Sequence, residues 1–185
     1  MSTSSDDARL MYIDLIKRCV LNVPYVDAEL NPIQPHGSLR KAVLTVFKSA
    51  NIQLAHHRRG NYERRIAGHD FSDVAHSMLS LKRLDNVQDC VETILRDNIA
   101  GDLIETGVMR GGTVILMRAI LKPHGIHDRT VWAADSFEGL PPPNPKDYPA
   151  DAGAGWHLRP LTEVGVEHVR RNFERYGLFD EKVQF

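Results

Sequence analysis

An α/β fold built on a parallel sheet is predicted, and three observations predict it. Asp102-Leu103-Ile104-Glu105 is a short strand that runs through Thr106-Gly107 into an apolar helical stretch, Val114 to Leu121, stopped by Pro123. Val131-Trp132-Ala133-Ala134-Asp135 is a second strand, bounded by turn-formers and beginning about 29 residues after the first, the separation that a strand–helix–strand unit needs. Lys182-Val183-Gln184-Phe185 opens a third. The first two should be parallel neighbours with a right-handed crossover, because a twisted strand feeding a right-handed helix packs back onto the sheet only that way.

The remaining elements follow in chain order. Apolar residues at Leu10, Ile13, Ile16, Val20 and Leu21, with Asp6 or Asp7 as cap, describe an amphipathic helix from Asp6 to Leu21 that must pack on something larger. NVPYVDAELNPIQPHG holds three prolines and a glycine and predicts an irregular connection. The segment from Leu39 to Leu54 predicts a short helix. HHRRGNYERR then clusters Arg58, Arg59, Arg64 and Arg65 around Tyr62, which suits a solvated charged face or, as the alternative, an anionic group on a substrate. His56 and His57 are adjacent there, hence splayed on a helix and a poor chelate. A stronger helix runs from about Leu84 to Arg96, with Leu84, Val87, Val91, Ile94 and Leu95 on one stripe and Asn98 and Gly101 to end it. Six of the ten prolines fall between Pro141 and Pro160, a loop long enough to be functional. Val166, Val169, Phe173 and Tyr176 mark a last helix from Thr162 to Tyr176, ended by Gly177. A parallel sheet buried on both faces usually takes four or more strands, so three should leave a strand edge and an apolar face uncovered.

Composition narrows the function. With 185 residues, 42% hydrophobic and 25% charged, the chain can fill one core and keep a soluble surface. Twenty-three Lys plus Arg against 24 Asp plus Glu leave a net charge of −1, which gives no argument for a nucleic-acid or membrane partner and favours a small ligand. No apolar run approaches the roughly 18 residues of a membrane span, and MSTSSDDARL is acidic where a secretory signal is basic, so a cytoplasmic chain is expected. Cys19 and Cys90 match neither a disulfide framework nor a zinc pattern and are expected to be small apolar fillers.

The informative motif is Glu105-Thr106-Gly107-Val108-Met109-Arg110-Gly111-Gly112, where a strand hands over to a helix. Glycines there let the backbone approach a ligand, and the helix start offers free amides and a partial positive charge. A P-loop needs Lys and a hydroxyl after its last glycine, whereas Gly112 is followed by Thr113-Val114. The dinucleotide fingerprint fails too, because Met109 stands where its second glycine should admit a pyrophosphate, so a nicotinamide dehydrogenase is not expected. What fits is the acidic-x-Gly-x-x-x-Gly pattern of S-adenosylmethionine methyltransferases, running from Glu105 through Gly107 to Gly111, with Asp135 ending the second strand. One carboxylate can accept from the methionine ammonium and the other can take both ribose hydroxyls. A capping role for Glu105 and a turn role for Asp135 are the structural alternatives.

GDLIETGVMRGGTVILMRAILK, DRTVWAADSFEGLPPP, AHSMLSLKRLDNVQDCVE and RRNFERYGLFDEKVQF resemble, in order, blocks of the macrocin O-methyltransferase family, from about Asp14 to the end of the chain. That family methylates sugar hydroxyls of bacterial macrolides and related natural products. The resemblance implies a Rossmann-like S-adenosylmethionine methyltransferase fold, represented by the N-terminal half of its sheet, with N-terminal helices and a lid in 1–82 and the cofactor domain in 83–185. It implies that Glu105, Thr106 and Gly107 line the cofactor, that Asp135 and Ser136 meet its ribose and adenine, and that the segment Gly68 to Met78 forms a lid bearing Phe71 and Met78. The lid's usual Trp-Pro or Tyr-Pro is here Phe71-Ser72, so a polar contact to substrate does not carry over. The family's magnesium ligands, an Asp and an Asp-Asp pair, lie beyond the third strand, so the chain by itself is expected to bind no metal and to be inactive, a cofactor binder or oligomer without turnover. Turnover by this chain alone would make His76 or Glu138 the first base candidates, although a lone histidine such as His76 is more often structural. The expected partners are a glycosylated small molecule and, through the first helix, a second copy of the chain.

Overall fold

The computed structural model describes residues 4–33, 37–155, 157 and 164–185. Strands β3 (Leu103–Thr106), β4 (Val131–Ala134) and β5 (Val183–Gln184) form a parallel sheet in the order β3-β4-β5. The register sets Leu103 beside Val131 and Thr106 beside Ala134, so both of these strands end at one edge. Helix α5 (Gly112–Leu121) connects β3 to β4 and is buried along nearly its whole length, consistent with its lack of a polar face. The expected parallel strand–helix–strand unit is present.

Around α5 pack α1 (Ser4–Val20) and α4 (Leu81–Arg96). Acids at Asp6 and Asp7 and bases at Lys17 and Arg18 suit the ends of α1, and its buried stripe Ile13, Ile16 and Val20 joins Leu116, Ile120, Leu84 and Phe173 in one core. α1 therefore shares the core of the sheet, and the expected boundary at 82/83 crosses the first turn of α4. That helix starts at Leu81, three residues before the periodicity predicts, because Ser80 caps it by accepting the Arg83 N–H at 3.2 Å. α6 (Val166–Arg175) buries Val169, Asn172 and Phe173. The expected start of this helix at Thr162, and Pro160 before it, lie outside the described residues. Cys19 is half-buried on α1, whereas Cys90 is exposed on α4 and fills nothing.

The sheet is covered on one face only among the described residues. Leu103, Val131, Ala133 and Val183 point into the core, while Ile104 (60% exposed) and Trp132 (42%) lie in register with Gln184 on the other face. An uncovered apolar face is what three strands led us to expect.

The segment 22–66 departs most from expectation. The connection read as irregular contains β1 (Glu29–Pro32), antiparallel to β2 (Ala55–Arg58), and α2 (Ser38–Ser49) lies between them. α2 ends at Ser49 rather than Leu54 because Asn51 turns left-handed (φ 56°). His56 and His57 are consecutive residues of β2, not of a helix. Alternation failed as a signal because the inward residue of β1 is charged. Glu29, 2% exposed, accepts from Asn22, Ser72 and Arg58 and pairs with Arg65. Arg65, on the short α3 (Tyr62–Ile66), is also 2% exposed and bonds Asp70 and the Leu21 carbonyl. Arg58 bridges Glu29 and Asp70. The arginine cluster is thus divided, with Arg59 and Arg64 solvated as expected, and Arg58 and Arg65 spent on an internal ion-pair knot.

Candidate functional site

The C-terminal ends of β3 and β4 open onto the loop Gly107–Gly111, the crevice position at which open parallel sheets bind ligands. Three of the loop's five residues have positive φ: Gly107 (85°), Met109 (51°) and Gly111 (86°). The Gly107 N–H donates to the Ala134 carbonyl at 2.9 Å, and the Val108 N–H donates to Asp135 Oδ2 at 2.7 Å. Asp135 thereby ties the loop to β4.

The glycines have different work. A Cβ on Gly107 would meet nothing within 4 Å, so this residue faces open space at the cleft. A Cβ on Gly111 would come to 2.7 Å from Val169 Cγ1, and one on Gly112 to 2.6 Å from Ser77 Cβ. The Gly111 N–H is already taken by the Val108 carbonyl at 2.9 Å. Gly111, expected at the cofactor, also serves the turn and the close packing of α6.

Gly111, the N-cap of α5, offers no side-chain bond, and the Thr113 side chain and Val114 N–H of the first turn instead face the Glu105 carboxyl of the preceding strand. Glu105 Oε2 is buried and without a hydrogen-bond partner. Burial pushes the Glu105 carboxyl up to about 7, the negative Asp135 adds to the rise, and the two hydrogen bonds only partly offset it. For Asp135, burial works against ionisation. N–H groups of Phe137, Val108, Met109 and Ser136 outweigh it and hold the carboxylate below its usual range. Thr106 and Ser136 are exposed at the same edge, and Ser136 Oγ accepts the Glu138 N–H at 3.3 Å.

The segment 68–78 lies along this loop and is fastened at several points. Ser72 Oγ donates to Glu29 at 2.6 Å, the His76 and Ser77 N–H groups donate to the Val20 carbonyl at 2.8 and 3.0 Å, and the Gly112 N–H donates to the His76 carbonyl at 3.0 Å. Arg110 reaches from the loop to the Asp73 and Ala75 carbonyls. Phe71 is 49% exposed and Met78 half-buried. The His76 Nδ1 lies 2.9 Å from the Tyr176 hydroxyl. Burial, with Arg175, Arg110 and His168 around it, pushes the His76 ring down to about 4. Glu138 is exposed.

Arg110, Asn172 and Glu29 were missed from sequence. A signal existed for Arg110, because a cation just ahead of a helix N-terminus opposes the dipole and must be held by something else. Glu29 gave none, being one acid in a proline-broken stretch. Among the described residues no group of three or more His, Cys, Asp or Glu could hold a metal ion, and none of the described helices is long and apolar enough to cross a membrane.

The profile of the macrocin-O-methyltransferase (TylF) family matches residues 9–185. The chain is 42% identical over 182 residues to the 8-demethyl-8-(2,3-dimethoxy-alpha-L-rhamnosyl)-tetracenomycin-C 4'-O-methyltransferase of Streptomyces olivaceus, covering 98% of this chain and 62% of that protein. To the mycinamicin III 3''-O-methyltransferase of Micromonospora griseorubida it is 40% identical, covering 95% and 62%. To the demethyldecarbamoylnovobiocin O-methyltransferase of Streptomyces niveus it is 48% identical over 145 residues, 76% of this chain and 55% of that one. The solved structure of the O-methyltransferase NovP superposes with a TM-score of 0.74 at 37% identity, over 96% of this chain and 63% of that one. The chain thus spans about three fifths of the length of the curated relatives it matches.

Proposed function

The chain belongs to the macrocin O-methyltransferase family, and from that premise we propose that it forms the cofactor-binding part of an S-adenosylmethionine-dependent O-methyltransferase acting on a sugar hydroxyl of a glycosylated natural product. The observation that carries this reading is Glu105 Oε2, buried and unpaired at a strand end where the neighbouring Gly107 leaves open space. A buried carboxylate oxygen without a donor is costly unless a ligand supplies one, and an ammonium group does.

When bound, the cofactor supplies a sulfonium methyl group open to displacement by an acceptor oxygen. In this reading Glu105 accepts from the amino-acid ammonium through Oε2. The bare Gly107 backbone lets the thioether region approach the chain. Asp135 takes the ribose hydroxyls on lone pairs left free by its loop amides, since an ionised carboxylate has about four acceptor sites. Exposed Thr106 and Ser136 border the same cleft, and Phe71 and Met78 lie on the segment proposed to cover the acceptor. No group of acids among the described residues fits the magnesium that the family resemblance brings.

Calorimetry of the chain with S-adenosylhomocysteine and with NAD tests the cofactor. Tighter binding of NAD would overturn the reading. Transfer of label from methyl-labelled S-adenosylmethionine to a panel of glycosylated natural products tests the acceptor class.

A further inference from the structure

We propose that Arg110 is a positioning residue that couples cofactor occupancy of the Gly107–Gly111 loop to the placement of the segment 72–77 over the acceptor side. The inference rests on the cofactor reading above and adds to it the way one part of the site acts on another.

Arg110 is held at both ends. Its carbonyl accepts from Asn172 Nδ2 at 3.0 Å, and Asn172 is fully buried on α6. Its guanidinium donates to the Asp73 and Ala75 carbonyls, which lie about 35 residues back in sequence. Burial pushes the guanidinium down from its usual range against the attraction of Asp73, and its Nε is buried without a partner. The half-buried cation is bonded to two backbone carbonyls. Moving the segment away from the loop would break both charge-assisted bonds, so the two are held together.

A contiguous chain of bonds leads from the ligand carboxylate to this brace. Asp135 Oδ2 holds the Val108 N–H, and the one residue between Val108 and Arg110, Met109, sits at φ 51°, a conformation a non-glycine residue keeps only where its surroundings fix it. Arg110 follows directly and crosses to 73–75, while the Gly112 N–H fixes the His76 carbonyl one residue further on. A diol drawing on Asp135 thus pulls on the carboxylate that sets the loop, two residues from the brace. Local chemistry does not require an arginine here, because a helix N-terminus disfavours a cation.

The test is amide hydrogen exchange of the whole chain across 72–78, with and without S-adenosylhomocysteine, in wild type, Arg110→Met and Arg110→Lys. In wild type the ligand should slow exchange in both 105–111 and 72–78. Arg110→Met should bind the ligand within about threefold of wild type yet lose the ligand-dependent protection of 72–78, an effect of about tenfold or more for one charged hydrogen-bonding partner removed. Arg110→Lys, which keeps the cation but not the two-pronged fork, should recover part of it. A merely structural arginine would change exchange in 72–78 equally with and without ligand. Undiminished ligand protection of 72–78 in Arg110→Met, or wild-type protection confined to the loop, overturns the inference while leaving the cofactor reading intact. Failure of wild type to bind the ligand instead overturns the cofactor reading and this inference with it. Should Arg110→Met not fold, Arg110→Gln, which also removes the cation, decides, and ligand-dependent protection of 72–78 equal to wild type overturns the coupling.

Discussion

Lowering the pH from 8 to 6 should weaken binding of S-adenosylhomocysteine through a single side chain. Glu105 is pushed up to about 7 in the ligand-free protein, mainly by burial. An ammonium ligand needs the ionised form, so affinity scales with the ionised fraction, which falls to about one half at pH 7 and about one tenth at pH 6. The expected loss between pH 8 and 6 is about tenfold, or roughly 1.4 kcal/mol. An ordinary glutamate near 4.3 would stay ionised throughout and give no such slope. Calorimetry at pH 7 in buffers of different ionisation enthalpy should show release of about half a proton on binding. Glu105→Gln should bind more weakly and lose the slope. Flat wild-type affinity from pH 6 to 8, or the same slope in Glu105→Gln, would refute the argument. The stability of the free protein carries the opposite sign. A raised carboxyl stabilises the fold while protonated, so its contribution is full below about 4.3 and is lost as pH rises through about 7.

Asp135→Ala should weaken S-adenosylhomocysteine binding by roughly 1.5–3 kcal/mol by calorimetry and, because Val108 loses its acceptor, also lower the melting temperature by a few degrees; unchanged affinity with a large melting loss would make Asp135 purely structural. Glu29→Gln should destabilise the chain by about 3–5 kcal/mol in denaturant titration, since Arg58 and Arg65 are left without a full counter-charge. Glu29 and Asp70 are both held below their usual ranges despite burial, by bonds to Arg65, Ser72 and Arg58. Their stabilisation is therefore present above about pH 4 and lost as pH falls through the lowered values, which acid titration by circular dichroism should detect. Gly111→Ala should cost more melting temperature than Gly107→Ala, as both positions are left-handed but only Gly111 abuts Val169, whereas Gly107→Ala should show its main effect on ligand affinity.

Legibility from sequence followed how locally each feature is encoded. β3, α5 and β4 were legible because a glycine turn and an apolar helix without a polar face leave one arrangement that buries them. Glu105 and Asp135 were legible as strand-end acids because each stands at or just past the end of a short apolar strand. Spacing alone could not say that the missing Cβ of Gly111 makes room for Val169. β1 and β2 were hidden because burial of Glu29 is made tolerable only by Arg58 and Arg65, far along the chain, so polarity there gives no sign of inside or outside.

That knot also bears on how the chain folds. Glu29 bonds Ser72 across 43 positions and Arg58 across 29, so the carboxylate cannot leave water favourably until three separate stretches have arrived. The closure of long loops that this requires is slow compared with forming α4 or α5. The hairpin β1–β2, α3 and the start of 68–78 should therefore gain protection together, as one late cooperative unit. Pulse-labelled exchange during refolding should find 28–32 and 55–72 trailing the helices, and high salt should slow that phase more than the earlier ones.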